Sequence, residues 1–209
     1  AMSAFEFAVA GRVIFGAGKL NGLADQFKGS VKRLLLVRGN SSDAIPRVRE
    51  ILSGQGILFD EFSVHGEPTV DTVSEGVGLA LQHGCDMVVG LGGGSVLDAG
   101  KAVSALATNR GDIFDYLEVI GRGKPLSNAP LPYIAIPTTA GTGTEVTRNA
   151  VIESPAHGVK VSLRSPMMHP SLALVDPELT YSLPAEITAS SGLDALTQLI
   201  EPFVSVKSN

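Results

Sequence analysis

Met87-Val88-Val89-Gly90-Leu91-Gly92-Gly93-Gly94-Ser95-Val96-Leu97-Asp98-Ala99-Gly100-Lys101 joins a short apolar run to three consecutive glycines and then to a helical pattern. Met87 to Leu91 has the length and composition of a strand buried on both faces. Ser95 to Ala107 reads as the helix that it feeds. The same alternation repeats on either side. Val31 to Val37 is a second apolar strand, bounded by Gly29-Ser30 and Gly39-Asn40. Asp43 is placed to cap a helix with Ile45, Val48, Ile51 and Leu52 on one side, stopping near Gly54 and Gly56. Ile57 to Val64 reads as a strand. Asp71 is placed to cap a helix that turns Val73, Val77, Ala80 and Leu81 inward and ends at His83-Gly84.

Further along, Tyr133 to Ile136 and Leu172 to Val175 read as strands, the latter closed by Asp176-Pro177. A hairpin is expected between Val151 and Leu163, turning at Pro155-Ala156-His157-Gly158. Strands alternating with helices at this spacing predict an α/β fold, a doubly wound, mainly parallel, Rossmann-like sheet with helices on both faces. Pro184 to Val204 differs in character: a long amphipathic helix with Ile187, Leu193, Leu196, Leu199 and Ile200 on its apolar side. A lone helix with such a face reads as the opening of a second, helical unit that the chain does not complete. The expected division is a dinucleotide-sized domain over 2–180 and the start of a helical domain over 181–209. Ala1 is set aside as a tag remnant ahead of Met2.

Composition narrows the function. The 209 residues are 44% hydrophobic and 18% charged, values of a globular chain. Sixteen Lys and Arg against 21 Asp and Glu give a net charge of −5, which argues against nucleic acid or an anionic membrane as partner. The single cysteine, Cys85, excludes a disulfide framework and an all-cysteine zinc site. No stretch reads as a signal peptide or membrane span, so a cytoplasmic protein is expected. The 24 glycines are about 11% of the chain, against about 7% in average proteins.

Three segments can bear chemistry. Glycines at a strand end permit positive φ and close backbone approach, and the amides and dipole of the following helix hold phosphate oxygens. Ser95 and Asp98 are spaced as in a capping box. The P-loop spacing fails, since five residues separate Gly94 from Gly100 and Ala102 follows Lys101. The G-x-G-x-x-G fingerprint fails too, because Ser95 stands where its last glycine would be. The second segment is Pro137-Thr138-Thr139-Ala140-Gly141-Thr142-Gly143-Thr144-Glu145-Val146-Thr147. Hydroxyls and amides at the carboxyl end of a parallel strand suit a nucleotide, although this composition also fits a polar surface loop. In the third, Asp194, Gln198 and Glu201 share a helix face, as a metal site or a solvated stripe. The four histidines, His65, His83, His157 and His169, show no metal-binding spacing, and a buried cysteine is usually inert.

Taken in order, GGGSVLDAGK, PTTAGTGTEVT and DPELTYSLPAEITASSGLDALTQLIEP resemble the iron-containing alcohol dehydrogenase family, whose relatives include glycerol dehydrogenase and maleylacetate reductase. The likeness begins at Arg12-Val13-Ile14-Phe15-Gly16 and runs to the end of the chain. It implies an NAD(P)-dependent oxidoreductase that moves a hydride between nicotinamide and a small alcohol or carbonyl substrate. The pyrophosphate would rest on Gly93, Gly94 and Ser95, with Asp98 in the same site. Thr138, Thr139, Thr142 and Thr147 would line the cofactor, with Lys160 and Leu179 near its ribose and adenine ends. Asp194 matches the family's first ligand for a divalent metal, iron or zinc.

The chain departs from that pattern in three places. Gly39 stands where many NAD-using relatives have an acid, so Arg38, Asn40, Ser41 and Ser42 could accept a 2′-phosphate, and NADP is weakly favoured. Gln198 stands where many relatives have a metal-binding histidine, and an amide is a poor substitute. The helical domain that supplies further ligands and a substrate wall is missing, so the segment alone is expected to be inactive. The alternative is a non-catalytic dinucleotide-binding or interaction module. A homodimer through an N-terminal strand, Phe5 to Val9, is a further expectation.

Overall fold

Short apolar runs bounded by glycine and polar turns form the strands expected of them. The computed structural model describes residues 6–27, 31–39 and 43–205. In chain order the elements are β1 (Val13–Phe15), β2 (Arg33–Arg38), α1 (Ala44–Gly54), β3 (Leu58–Ser63), α2 (Val70–His83), β4 (Met87–Gly92) and α3 (Gly94–Thr108). There follow β5 (Tyr133–Pro137), β6 (Asn149–Ser154), β7 (Val159–Arg164), β8 (Leu172–Val175) and α4 (Ala185–Val204). Six strands make one sheet in the order β1-β8-β5-β4-β2-β3, every neighbouring pair parallel.

The period of two divides each strand between two cores. Leu35, Val37, Val88 and Ala135 face α2 and α3. Leu34, Leu36, Val89, Leu91, Ile134 and Ile136 face α1 and a 3-10 stretch, Lys19–Phe27. Each such side chain withdrawn from water is worth roughly 2 kcal/mol, so the sheet is fixed from both sides. The doubly wound, Rossmann-like arrangement is the one expected.

Local details differ. Thr69, not Asp71, caps α2: its side chain accepts from the Thr72 amide at 3.1 Å. Asp71 lies in the first turn, where its charge still favours the helix dipole. Asp43 precedes α1 but makes no side-chain cap, because its backbone is already helical (φ −60°, ψ −13°) and an extended cap geometry is required. The hairpin forms as expected from β6 and β7, with Ile152 opposite Val161. The expected Phe5–Val9 strand does not form over Glu6–Val9, and Phe5 lies outside the described residues. The sheet edge is β1 instead, paired to β8 with Val13 opposite Ala173.

No residue of α4 is buried, and Leu193, Leu199 and Phe203 on it are strongly exposed. No helix among the described residues is long and apolar enough to cross a membrane.

Candidate functional site

β2 lies between β3 and β4, so the chain leaves β2 toward one side of the sheet and leaves β4 toward the other. At such a switch point the carboxyl ends of the two strands open a crevice. Hydrogen bonds lace its rim: Gly39 N–H donates to the Leu91 carbonyl at 3.2 Å, and Thr138 N–H to the Gly92 carbonyl at 2.9 Å.

α3 begins at the bottom of this crevice. Gly93 is its N-cap without any side-chain hydrogen bond, and Leu97 N–H makes the first intrahelical bond, to the Gly93 carbonyl at 3.0 Å. The amides of Gly94, Ser95 and Val96 therefore lie ahead of the helix's own acceptors, at its positive end. Two expectations are corrected here. Ser95 and Asp98 form no capping box, since the cap is Gly93. None of Gly92, Gly93 and Gly94 has a positive φ either. Glycine is required for space: a Cβ on Gly92 would lie 2.7 Å from Val96 Cβ, and one on Gly94 would lie 2.9 Å from Thr142 Cγ2. The threonine loop after β5 packs directly on the glycine turn.

That loop is held by a residue the sequence reading passed over. Lys101 is 1% exposed on α3, and its ammonium donates to the Thr144 carbonyl (2.7 Å), the Asn149 carbonyl (2.9 Å) and Thr147 Oγ1 (3.0 Å). Its partner Asp98 lies 3.9 Å away and accepts from the Val151 amide at 3.1 Å. One turn of α3 thus anchors both the threonine loop and β6. Burial lowers the Lys101 ammonium to about 8, against the pull of Asp98 and Glu145. Burial raises the Asp98 carboxyl to about 6, partly offset by Lys101 and the Val151 amide. The available signal was an aspartate and a lysine three residues apart in a mostly apolar helix, VLDAGKAVSALA.

A cleft of about 300 Å³ brings together Gly94, Ser95, Asp98, Thr142, Thr147 and Lys160 among the expected residues. Glu67, Thr144, Asn149 and Val151 complete it, and Glu67 pairs with Lys160 at 3.3 Å. Gly39 and Gly93 sit on the switch-point rim, where Thr139 packs on Gly93 and Thr138 is buried behind them. Leu179 is elsewhere, in the core beneath α1, bordering a separate hollow with Asp43 and Arg47. Asn40, Ser41 and Ser42 lie outside the described residues.

Arg38 is not a free cation. Its Nε donates to Glu61 at 2.6 Å and its Nη1 to the Gly39 carbonyl at 3.2 Å. Arg49 on α1 grips the same carboxylate, with Nη2 at 2.7 Å. Hydrogen bonds from the two guanidiniums, Arg49's foremost, hold the Glu61 carboxyl down at about 2, against burial.

The metal expectation finds little support in the donor set. Asp194 is exposed on α4. Gln198 turns its amide N–H to the carbonyls of Gly141 (3.2 Å) and Thr142 (3.4 Å), so it braces the threonine loop. Among the described residues no three His, Cys, Asp or Glu converge on a point where an ion could sit. These residues do not fit a metal centre on their own. Cys85 is buried, which pushes its thiol up to about 11 and leaves it inert.

Residues 10–177 match the sequence model of the iron-containing alcohol dehydrogenase family. Alcohol dehydrogenase 4 of Schizosaccharomyces pombe is 38% identical over 203 residues, covering 94% of this chain and 47% of the relative. An NAD-dependent methanol dehydrogenase of Bacillus methanolicus is 42% identical over 139 residues, 66% of this chain and 35% of the relative. The crystal structure of an NADH-dependent butanol dehydrogenase from Thermotoga maritima superposes with a TM-score of 0.88 at 30% identity, over 96% of this chain and 51% of that one. The chain spans about half the length of the relatives it matches most extensively.

Proposed function

The chain belongs to the iron-containing alcohol dehydrogenase family, and from that premise we propose that it is the cofactor-binding part of an NAD(P)-dependent oxidoreductase acting on an alcohol or carbonyl substrate. The observation behind this is the crevice between β2 and β4, where α3 presents uncapped amides beside a threonine loop. The amides of Gly94 and Ser95 hold the pyrophosphate at the positive helix end. Thr139 and Thr142 close over it, and Lys101 fixes their loop from below. The nicotinamide, when bound, supplies the hydride acceptor or donor. This chain's own residues bind and orient the dinucleotide.

Gly39 puts no carboxylate at the end of β2, so we read the site as accepting NADP as well as NAD. Residues 181–209 are read as the start of a second, helical unit. No described residue beyond Leu179 is buried, so α4 offers its apolar side for cover. The same exposed face favours the second reading, a binding module docked on a partner. The named relatives are dehydrogenases about twice as long, which favours the enzyme. Pairing of two copies through the segment around the exposed Phe7 stays within the proposal.

Fluorescence titration with NADH and NADPH, against a nucleotide-free control, tests the reading. Saturable binding of at least one dinucleotide is expected. Binding of neither overturns it.

A further inference from the structure

We propose that Glu61 sets this chain's choice between NADH and NADPH, by holding Arg38, which a 2′-phosphate would otherwise recruit. The inference rests on the dinucleotide reading above and deepens it. A dinucleotide with its diphosphate on the glycine turn after β4 sets its adenosine ribose against a neighbouring strand end, and β2 is the parallel neighbour whose carboxyl end bonds to Leu91 beside that turn. Here that end is Arg38-Gly39. A carboxylate there accepts the ribose hydroxyls and repels a 2′-phosphate, whereas a neighbouring arginine attracts the phosphate.

Position 39 has lost the first function. A Cβ on Gly39 would stand 3.5 Å from Val96 Cγ2, in the first turn of α3, so a side chain there would face the crevice; glycine leaves that space empty. Arg38 has the second function in principle, and the structure shows what restrains it. Its guanidinium is tied to the Gly39 carbonyl by Nη1 and to Glu61 by Nε. Glu61 sits on β3, opposite Leu36 in the parallel register, so the pair crosses adjacent strands. Arg49 reaches in from α1 and binds both carboxylate oxygens, through Nε and Nη2.

The group is therefore two guanidiniums and one carboxylate, with a net charge of +1, and all three side chains keep some exposure (19% for Arg38, 20% for Glu61 and 46% for Arg49). An isolated exposed pair of this kind contributes little. A bidentate grip shared by two arginines is stronger, and the depressed titration of Glu61 agrees with it. A 2′-phosphate dianion must compete with that carboxylate for Arg38. Neutralising Glu61 raises the local charge to +2 and frees Arg38 while leaving the ribose hydroxyls untouched. Selectivity then moves toward NADPH, and NADH binding stays as it was.

The test compares dissociation constants for NADH and NADPH in the wild type, Glu61→Gln, and Glu61→Gln with Arg38→Gln. Glutamine keeps the size of the side chain but removes its charge and one of its two acceptor oxygens. Glu61→Ala serves as a second variant, and circular dichroism checks each fold. NADPH is expected to bind about fivefold more tightly to Glu61→Gln, the scale of one partly screened charge pair, with NADH unchanged within about twofold. Arg38→Gln should abolish the gain. Competition by 2′,5′-ADP against 5′-AMP should move in parallel. A wild type that binds both dinucleotides, with a ratio unmoved or shifted toward NADH in the variants, overturns the role of Glu61 alone. A wild type that binds neither overturns the cofactor reading and this inference with it.

Discussion

The buried ammonium of Lys101 donates to the carbonyl of Thr144, 2.7 Å away and 43 residues further along the chain. The bond joins the helix that begins at the glycine turn to the loop that covers it. Lys101→Met would strand Asp98 without its counter-charge and release three acceptors at once. A loss of about 3–5 kcal/mol is expected for such a break, measured by urea denaturation. A loss below about 1 kcal/mol would show that the loop is held by other contacts.

Asp98 makes stability depend on pH in an uncommon direction. The folded carboxyl keeps its proton to about pH 6, against 3.8 for the unconstrained group. The native state therefore binds more protons than the unfolded chain between these values. This contribution is complete below about pH 4 and is lost as pH rises through 6. Asp98→Asn does not titrate there, so the wild type should lose on the order of 2–3 kcal/mol relative to the variant between pH 4 and 7. Equal pH profiles for the two proteins would contradict the raised carboxyl.

Glycines separate into those that need space and those that do not. Gly94→Val puts branched carbons where Thr142 lies, 2.9 Å from the position of a Cβ. Dinucleotide affinity should fall by more than about tenfold while the far-ultraviolet spectrum is kept, since the collision is confined to the crevice. Gly78 in α2 has open space around its Cβ position. There Gly78→Ala should raise stability by about 0.5–1 kcal/mol without changing binding, as expected of alanine in an exposed helix.

Gly39→Asp restores the missing carboxylate at the end of β2. Its Cβ has room, at 3.5 Å from Val96. NADPH binding should weaken by about tenfold or more and NADH binding should hold or improve, through repulsion of the 2′-phosphate and acceptance of the ribose hydroxyls. Paired titrations measure this directly. An unchanged ratio would place the ribose elsewhere.

The fold was legible because its signals are local. Met87 to Leu91 has the length and composition of a strand buried on both faces, and Ser95 to Ala107 carries a helical pattern directly after it. The site was legible in outline: the glycine turn and the threonine loop do meet. The reason glycine stands at 92 and 94 was not, because it depends on Val96 and on Thr142, 48 positions beyond Gly94. The anchoring role of Lys101 was not legible, because the burial of α3 on every side is not a local signal. Arg38 reads as a phosphate ligand until Glu61 is seen to hold it. The cap of α2 fell to Thr69 because two polar residues, Thr69 and Asp71, competed and the chain entered the helix at the earlier one.

The central claim is that the first turn of α3 receives a diphosphate. Nitrogen-15 labelled protein titrated with NADPH or NADH, followed by amide NMR, tests it most directly. The account predicts the largest shifts at the amides of Gly93, Gly94, Ser95 and Val96, with a second set at Thr139 and Thr142. Saturation with those amides unmoved, or shifts confined to another face of the sheet, would contradict it.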